Sequence, residues 1–144
     1  MTTAAMTSSS KPTQANLCRA FMEGATLGMR YGLNVMLRKG IRLTEIRLVG
    51  GGAQSSIWRQ LMADIFQIPV VLPVSTEAGA LGAALQAMWC YCNQMEGDTA
   101  LTDLCTDFVH LDDTSRAQPH SEASFFYADL CISVISLWTM LCAP

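Results

Sequence analysis

Apolar residues recur with helical spacing over most of the chain, and two short apolar runs interrupt them. The pattern predicts a first helix from Thr13, whose hydroxyl can cap it, to Gly40, a typical C-terminal stop. Gly24, Gly28 and Gly32 recur every fourth residue within this helix and therefore share one face. Each glycine costs about 1 kcal/mol against alanine in a helix, so we expect another helix or strand to pack closely there.

The two apolar runs predict a pair of parallel strands joined by a helix. We expect the first strand at Glu45–Gly51 and the second at Ile68–Val74, which is apolar throughout, as strands covered on both faces are. Either Ser55 or Ser56 can cap the connecting helix. The buried side of that helix is predicted to contain Trp58, Leu61, Met62 and Ile65.

The remainder of the chain is predicted to be helical. Thr76 can cap a third helix, Glu77–Cys92, whose first turns consist almost entirely of small residues and so indicate close backbone packing. A short helix near Thr99–Thr106, a loop and a final helix from Ser121 follow. The order α-β-α-β-α-α-α leaves a sheet of two strands with an unpaired edge. Because a stable parallel sheet needs more strands, the sequence predicts part of a larger domain.

Composition excludes some classes of protein. The 144 residues are enough for one domain, and with 51% hydrophobic and 15% charged residues the chain is globular rather than disordered. The net charge of -3 and the scattered basic residues do not suit nucleic acid as a main partner. The six cysteines include no C-x-x-C pair, so we predict reduced thiols in a cytoplasmic protein and no metal site.

The two ends of the chain differ in character. Residues 1–12 are polar, lack the apolar core of a signal peptide and are predicted to form a disordered leader. Residues 124–144 are about long enough to cross a bilayer, but Asp129 lies well inside the stretch and no basic residue flanks it. We therefore expect a helix packed against the core or a partner, and membrane insertion is the alternative interpretation.

The segment "GGGA" at residues 50–53 is the main candidate for a binding loop. A strand followed by glycines and a capped helix is the geometry of phosphate and nucleotide binding. No G-K-[ST] follows, so the segment is not a P-loop. Gly50 and Gly52 fit the first two glycines of a dinucleotide fingerprint, but Ser55 occupies the third position. Taken alone, the loop is equally consistent with a tight turn and with a ligand cradle.

A longer series of motifs resembles the C-terminal domain of the FGGY carbohydrate kinases, and their xylulokinases in particular. The similarity covers about residues 13–116 and includes the entering helix, the glycine loop, the second strand and the helix rich in small residues. The last part of the chain departs from the family pattern. The matching residues are Gly50, Gly51, Gly52, Ala53, Ser55, Trp58, Gln60, Ala63, Asp64, Pro69, Val70, Glu77, Ala80, Leu81, Gly82, Ala83 and Ala84.

The resemblance implies an α/β fold, namely a partial actin-like ATPase or ribonuclease-H-like C-terminal domain, helix-rich with a short parallel sheet. It divides the chain into a leader (1–12), a partial nucleotide-binding domain (13–116) and an apolar C-terminal helix of uncertain role (117–144). In such kinases ATP lies in the cleft between two domains, with Mg²⁺ in the complete enzyme. Carried over by position, the residues expected at the adenosine part of ATP are Gly51, Gly52, Ala53, Ser55 and Ser56.

The resemblance also implies that the catalytic Asp, the sugar site and the phosphate-binding hairpins precede the matched region. No acid here stands in the context of the family's catalytic Asp: Asp64 is expected to be structural and Glu77 to favour a helix N-terminus. Two interpretations stay open. The chain is the C-terminal part of a xylulokinase-like enzyme, inactive alone and partnered by the missing N-terminal domain or a homodimer partner. Alternatively, it is a truncated, non-catalytic interaction or regulatory module derived from a sugar kinase.

Overall fold

A computed structural model describes residues 13–95 and 97–141, so the predicted leader at residues 1–12 lies outside the described residues. The division between residues 116 and 117 stays a prediction. The elements, in chain order, are α1 (Gln14–Arg38), β1 (Ile46–Arg47), a 3-10 turn that we call the glycine turn (Gly51–Gln54), α2 (Ser56–Phe66), β2 (Val70–Pro73), α3 (Ala78–Met95), α4 (Leu101–Phe108), β3 (Leu111–Ala117) and α5 (Ser121–Leu141).

Helix α1 begins and ends where its sequence predicts. The Thr13 hydroxyl accepts a hydrogen bond from the Asn16 amide at 3.2 Å, which caps the first turn. Gly40 follows the last turn with φ of 87°, a conformation that favours glycine. The expectation of close packing at its glycine face is wrong within the described chain, because a Cβ added at Gly24 or Gly28 would meet nothing within 4 Å.

The sheet contains the predicted parallel pair and one strand more. Strand β1 pairs parallel with β2, with Ile46 opposite Val70. Strand β1 is shorter than the predicted Glu45–Gly51, because the paired region ends before the chain turns at Gly50. Strand β3 lies antiparallel on the other side of β2, so the sheet is mixed and its order is β1-β2-β3.

Strand β3 corrects the prediction of a loop between the last two helices. Its residues are mostly polar and lack an apolar face, but two of its polar side chains bond to partners far away in the sequence. The Ser115 hydroxyl accepts a hydrogen bond from the Leu72 amide at 2.9 Å. The Arg116 guanidinium lies 2.7 Å from the Glu45 carboxylate, and this hydrogen bond lowers the pKa of Glu45. The strand is therefore fixed by β1 and β2 rather than by local pattern.

Helix α2 is the centre of the core. Its Leu61, Met62 and Ile65 are buried as predicted, whereas Trp58 is half-buried and touches both core clusters. One cluster lies between α1, α2 and β2, and the other lies between α1, α2 and α5. The indole N–H of Trp58 donates to the Thr26 hydroxyl at 3.0 Å, and Thr26 is fully buried. This bond joins the middle of α1 to the first turn of α2.

Helix α5 packs on α1 and α2, and its start is tied down by Asp64. The Asp64 carboxylate, only 8% exposed, accepts hydrogen bonds from the His120 amide at 2.9 Å and the Gln60 side chain at 3.0 Å. Further along, the Tyr127 hydroxyl donates to Glu23 at 2.9 Å. Within residues 13–95 and 97–141, no helix combines the length and hydropathy needed to cross a bilayer.

Helix α3 departs from its predicted packing. Its small residues were expected to lie close to another backbone, yet a Cβ added at Gly79 or Gly82 would meet nothing within 4 Å. The helix is fixed instead through its C-terminal half, where the Trp89 indole donates to the Thr99 carbonyl at 2.8 Å. The cysteines in the described ranges are free thiols, and Cys142 lies outside those ranges.

We predict that Thr26→Val destabilises the protein by about 1–3 kcal/mol, because it leaves the Trp58 indole N–H without an acceptor in a largely buried place. The matched control is Thr106→Val. The Thr26 hydroxyl donates to the Met22 carbonyl, and the Thr106 hydroxyl donates in the same way to the Thr102 carbonyl but at an exposed position, so we expect the control to change stability by no more than about 0.5 kcal/mol. Urea unfolding followed by circular dichroism measures both. Equal losses in the two variants would contradict this role for Thr26.

Candidate functional site

The glycine turn has a defined conformation that backbone hydrogen bonds hold. The chain leaves β1, reverses at Gly50 and enters a 3-10 turn that leads directly into α2. The Ala53 amide donates to the Gly50 carbonyl at 3.0 Å, and the Ser55 amide donates to the Gly52 carbonyl at 3.2 Å. No hydrogen bond from the amides of Gly51 or Gly52 to any other described residue is formed, so both are free to donate to a ligand.

The three consecutive glycines are needed for different reasons. Gly50 has φ of 91°, which an L side chain rarely adopts. Gly52 lies under the Trp58 ring, where a Cβ would come within 3.0 Å of Cζ3. Gly51 has neither constraint, because its φ is not in the left-handed region and an added Cβ would meet nothing within 4 Å. Neither folding nor packing in the described chain explains a glycine at position 51.

The five predicted site residues fall into two groups. Gly51, Gly52 and Ser56 are exposed, and Ser56 is the first residue of α2. Ala53 is 3% exposed, so its methyl group belongs to the core. The Ser55 hydroxyl accepts from the Trp58 amide at 3.3 Å and caps α2, which leaves Ser56 as the serine available to a ligand.

A cavity of about 570 Å³ lies beside the glycine turn, at the end of β2. Its lining residues were not predicted from the sequence, because the three that belong to β3 join the others only when β3 pairs with β2. The residues that line it are Gln54, Leu72, Pro73, Val74, Thr76, Leu111, Asp112 and Asp113. The one available signal was the segment after the second predicted strand, since ligands of α/β sheets bind beyond the carboxyl ends of strands.

The wall of this cavity is acidic. Asp112 and Asp113 line it, and no Lys, Arg or His is among the lining residues. The Asp113 carboxylate is paired with the Arg116 guanidinium at 2.8 Å, and Asp112 Oδ1 accepts a hydrogen bond from the Thr114 amide at 3.0 Å, so only part of their hydrogen-bonding capacity is open to a ligand. In the part of the chain that the structure describes, no group of three or more His, Cys, Asp or Glu side chains is placed to hold a metal ion.

The other two acids considered from sequence are Asp64 and Glu77. Asp64 is committed to the start of α5, where His120 Nδ1 lies 3.1 Å from its carboxylate. Glu77 precedes α3, and its carbonyl accepts the Leu81 amide at 2.9 Å as that helix begins. Asp64 therefore has a structural role, whereas the role of the exposed Glu77 carboxylate at the start of α3 stays a prediction.

The fold matches solved sugar kinases. The chain superimposes on gluconate kinase from Lactobacillus acidophilus with a TM-score of 0.76 at 21% identity, covering 91% of this chain and 25% of that one. For xylulose kinase from Rhodospirillum rubrum the TM-score is 0.72 at 25% identity, covering 97% and 26%. The fold class is thus the predicted α/β fold of actin-like sugar kinases, helix-rich with a short sheet.

Sequence comparison gives the family. The model of the FGGY family of carbohydrate kinases, C-terminal domain, matches residues 1–91, and the chain belongs to this family. It is 48% identical over 112 residues to a xylulose kinase of Haemophilus influenzae, which is 78% of this chain and 22% of that protein. It is 37% identical over 76 residues to a probable L-xylulose kinase of Pasteurella multocida, 53% of this chain and 16% of that protein. The chain spans about a fifth of the length of these relatives.

We predict that alanine substitutions at the three glycines lower the stability of the protein by different amounts. Gly50→Ala is expected to cost about 1–2 kcal/mol through its left-handed backbone, and Gly52→Ala about 1–3 kcal/mol through the clash with Trp58. Gly51→Ala is expected to change stability by less than about 0.5 kcal/mol. Differential scanning calorimetry measures all three. A loss for Gly51→Ala as large as for Gly52→Ala would show that position 51 is constrained by folding.

Proposed function

We propose that the chain is the adenosine-binding part of an ATP-dependent carbohydrate kinase that phosphorylates a sugar hydroxyl. The observation that carries the proposal concerns Gly51. This glycine is exposed and its amide is free, yet neither its backbone conformation nor packing requires a glycine at this position. A glycine in such a position lets a ligand approach the backbone closely. The free Gly52 amide and the cavity that lies beside the turn support the same assignment.

In this proposal each residue of the turn has a separate task. Gly51 and Gly52 present their backbone to the adenine and ribose, and the Ser56 hydroxyl donates or accepts at the same edge. Ala53 and Ser55 act indirectly, Ala53 by anchoring the turn in the core and Ser55 by capping α2. In the complete enzyme Mg²⁺ would neutralise the phosphate charge. No described residue offers it a cluster of ligands, so we assign the metal to other parts of such a kinase.

We propose xylulose as the sugar, because relatives named xylulose kinase are among the most similar proteins. We name no catalytic residue in this chain and expect it to have no phosphotransfer activity and weak or no ATP affinity by itself. A site that has only the adenosine side lacks the phosphate and metal contacts that supply most nucleotide affinity. We place the protein in the cytoplasm, where ATP is available.

A second candidate function is a non-catalytic interaction module derived from a sugar kinase. The observation that favours it is the exposed apolar side of α5, where Phe125 is 83% and Met140 is 79% exposed. Exposed apolar surface of this kind is typical of protein contacts.

A chimera tests the kinase assignment. We expect the Haemophilus influenzae xylulose kinase, with its matching 112 residues replaced by those of this chain, to retain ATP-dependent xylulose phosphorylation in a coupled assay. In that chimera Gly51→Leu should raise the KM for ATP about tenfold or more, because a side chain now occupies the space of the nucleotide. The KM for xylulose should stay unchanged.

Ala53→Ser is the matched control, since it alters the neighbouring but buried position and should act on stability rather than on the KM for ATP. Loss of all activity in a folded chimera, as judged by circular dichroism, would favour the non-catalytic module. An unchanged KM for ATP in Gly51→Leu would remove the glycine turn from the nucleotide site.

A further inference from the structure

A guanidinium contacts the glycine turn from the side of α2. Nη1 of Arg59 donates a hydrogen bond to the Ala53 carbonyl at 3.1 Å, and the contact is partly buried. Among the described residues no backbone amide donates to this carbonyl, so Arg59 is its one donor there. The side chain can reach back to the turn because the Cα–Cβ bonds of a helix tilt towards its N-terminus. Arg59 therefore bridges α2 and the turn that precedes it.

The position of Arg59 opposes the usual charge preference of a helix. Because its guanidinium reaches Ala53, the positive charge lies at the N-terminal end of α2, where the helix dipole favours an anion. The first turn of α2 contains no acid, and within residues 13–95 and 97–141 Arg59 forms no ion pair with a carboxylate. A residue that breaks a local rule in this way is typical of a functional position.

The bond from Arg59 adds to the hydrogen bonds that occupy the carbonyls of the turn. The Gly50 and Gly52 carbonyls accept from the Ala53 and Ser55 amides at 3.0 and 3.2 Å. The Ala53 carbonyl accepts from the Arg59 side chain, and the Ser55 carbonyl accepts from the Arg59 amide at 2.9 Å. The carbonyls of these residues are thus used by the protein itself, whereas the two free amides of the turn remain available to a ligand.

We propose that Arg59 is a positioning residue of the glycine turn, which holds the Gly51 and Gly52 amides in the orientation that binds the nucleotide. It acts through the Ala53 carbonyl and does not itself contact the ligand. This inference rests on the proposed adenosine-binding role of the turn. A backbone that is fixed before binding loses less entropy when the ligand binds, so loss of the contact should weaken the affinity for the nucleotide.

Hydrogen exchange of the 144-residue chain, followed by NMR, tests the contact itself. Arg59→Met keeps an apolar stem in place of the arginine but removes the charge and the donors. We expect exchange at the Ala53 and Ser55 amides to become about tenfold faster, because the bonds of these amides close the turn that Arg59 holds. Arg38→Met is the matched control, since Arg38 also donates to a carbonyl, that of Asn34, but at the exposed end of α1. It should leave exchange in the turn unchanged.

Kinetics of the chimeric xylulose kinase test the consequence for the nucleotide. Arg59→Met should raise the KM for ATP about threefold to tenfold and leave the KM for xylulose unchanged. A merely structural role would instead lower the melting temperature and the amount of active enzyme, which reduces kcat without distinguishing the two substrates. Arg38→Met should change neither KM.

Two further variants at the same position sharpen the test. Arg59→Lys keeps a charged donor of similar length, and because the observed contact uses one donor rather than the guanidinium fork, it should recover most of the affinity for ATP. Arg59→Gln is polar but too short for the Ala53 carbonyl, so it should behave as Arg59→Met does. It therefore provides the same measurement where Arg59→Met fails to fold.

Unchanged exchange in the turn of a folded Arg59→Met or Arg59→Gln chain overturns the proposal. A raised KM for ATP in Gly51→Leu, together with an unchanged value in Arg59→Met, also overturns it, because the nucleotide then binds at the turn without help from Arg59. Faster exchange in Arg59→Met with no change of the KM for ATP in either variant has a different meaning. The nucleotide role of the turn then fails, and the positioning role of Arg59 fails with it.

Discussion

The hydrogen bond between Trp58 and Thr26 is the interaction on which the arrangement of the other elements depends. Trp58 lies in the first turn of α2, touches both core clusters and packs against Gly52 of the glycine turn, so its position fixes three parts of the molecule at once. Thr26 is fully buried in the middle of α1 and supplies the one acceptor for the indole, at 3.0 Å. The hydrogen bond that aligns α1 with α2 therefore also positions the Trp58 ring against which the glycine turn packs.

The conformation of the glycine turn is fixed by its contacts with Trp58, the core and α2. One side of the turn is used for folding: Gly52 accommodates the Trp58 ring, Ala53 enters the core and Ser55 caps α2. The opposite side keeps the free amides and the open position at Gly51. A backbone held in this way loses little further entropy when a ligand binds, which is the advantage of a preorganised site. The turn can thus present backbone donors without being flexible.

The elements that could be predicted from the sequence are those whose residues form a local pattern. The helical period and caps located α1 and α2, and the apolar runs located the parallel pair. It failed at β3, because the residues that hold this strand, Ser115 and Arg116, bond to partners about 43 and 71 positions away, a distance at which periodicity carries no information. The cavity beside the glycine turn was missed for the same reason. The choice between Ser55 and Ser56 as cap likewise needed the start of α2 to be known.

The glycines of α1 show what sequence can say about an interface. Glycine in a helix is unfavourable unless a close contact compensates for it, and within the described residues nothing approaches Gly24, Gly28 or Gly32. The sequence predicts another helix or strand packed on this face, and no such contact forms among the described residues. Since α1 keeps its glycines on an open, uncharged face, the compensating contact must involve atoms beyond the described residues.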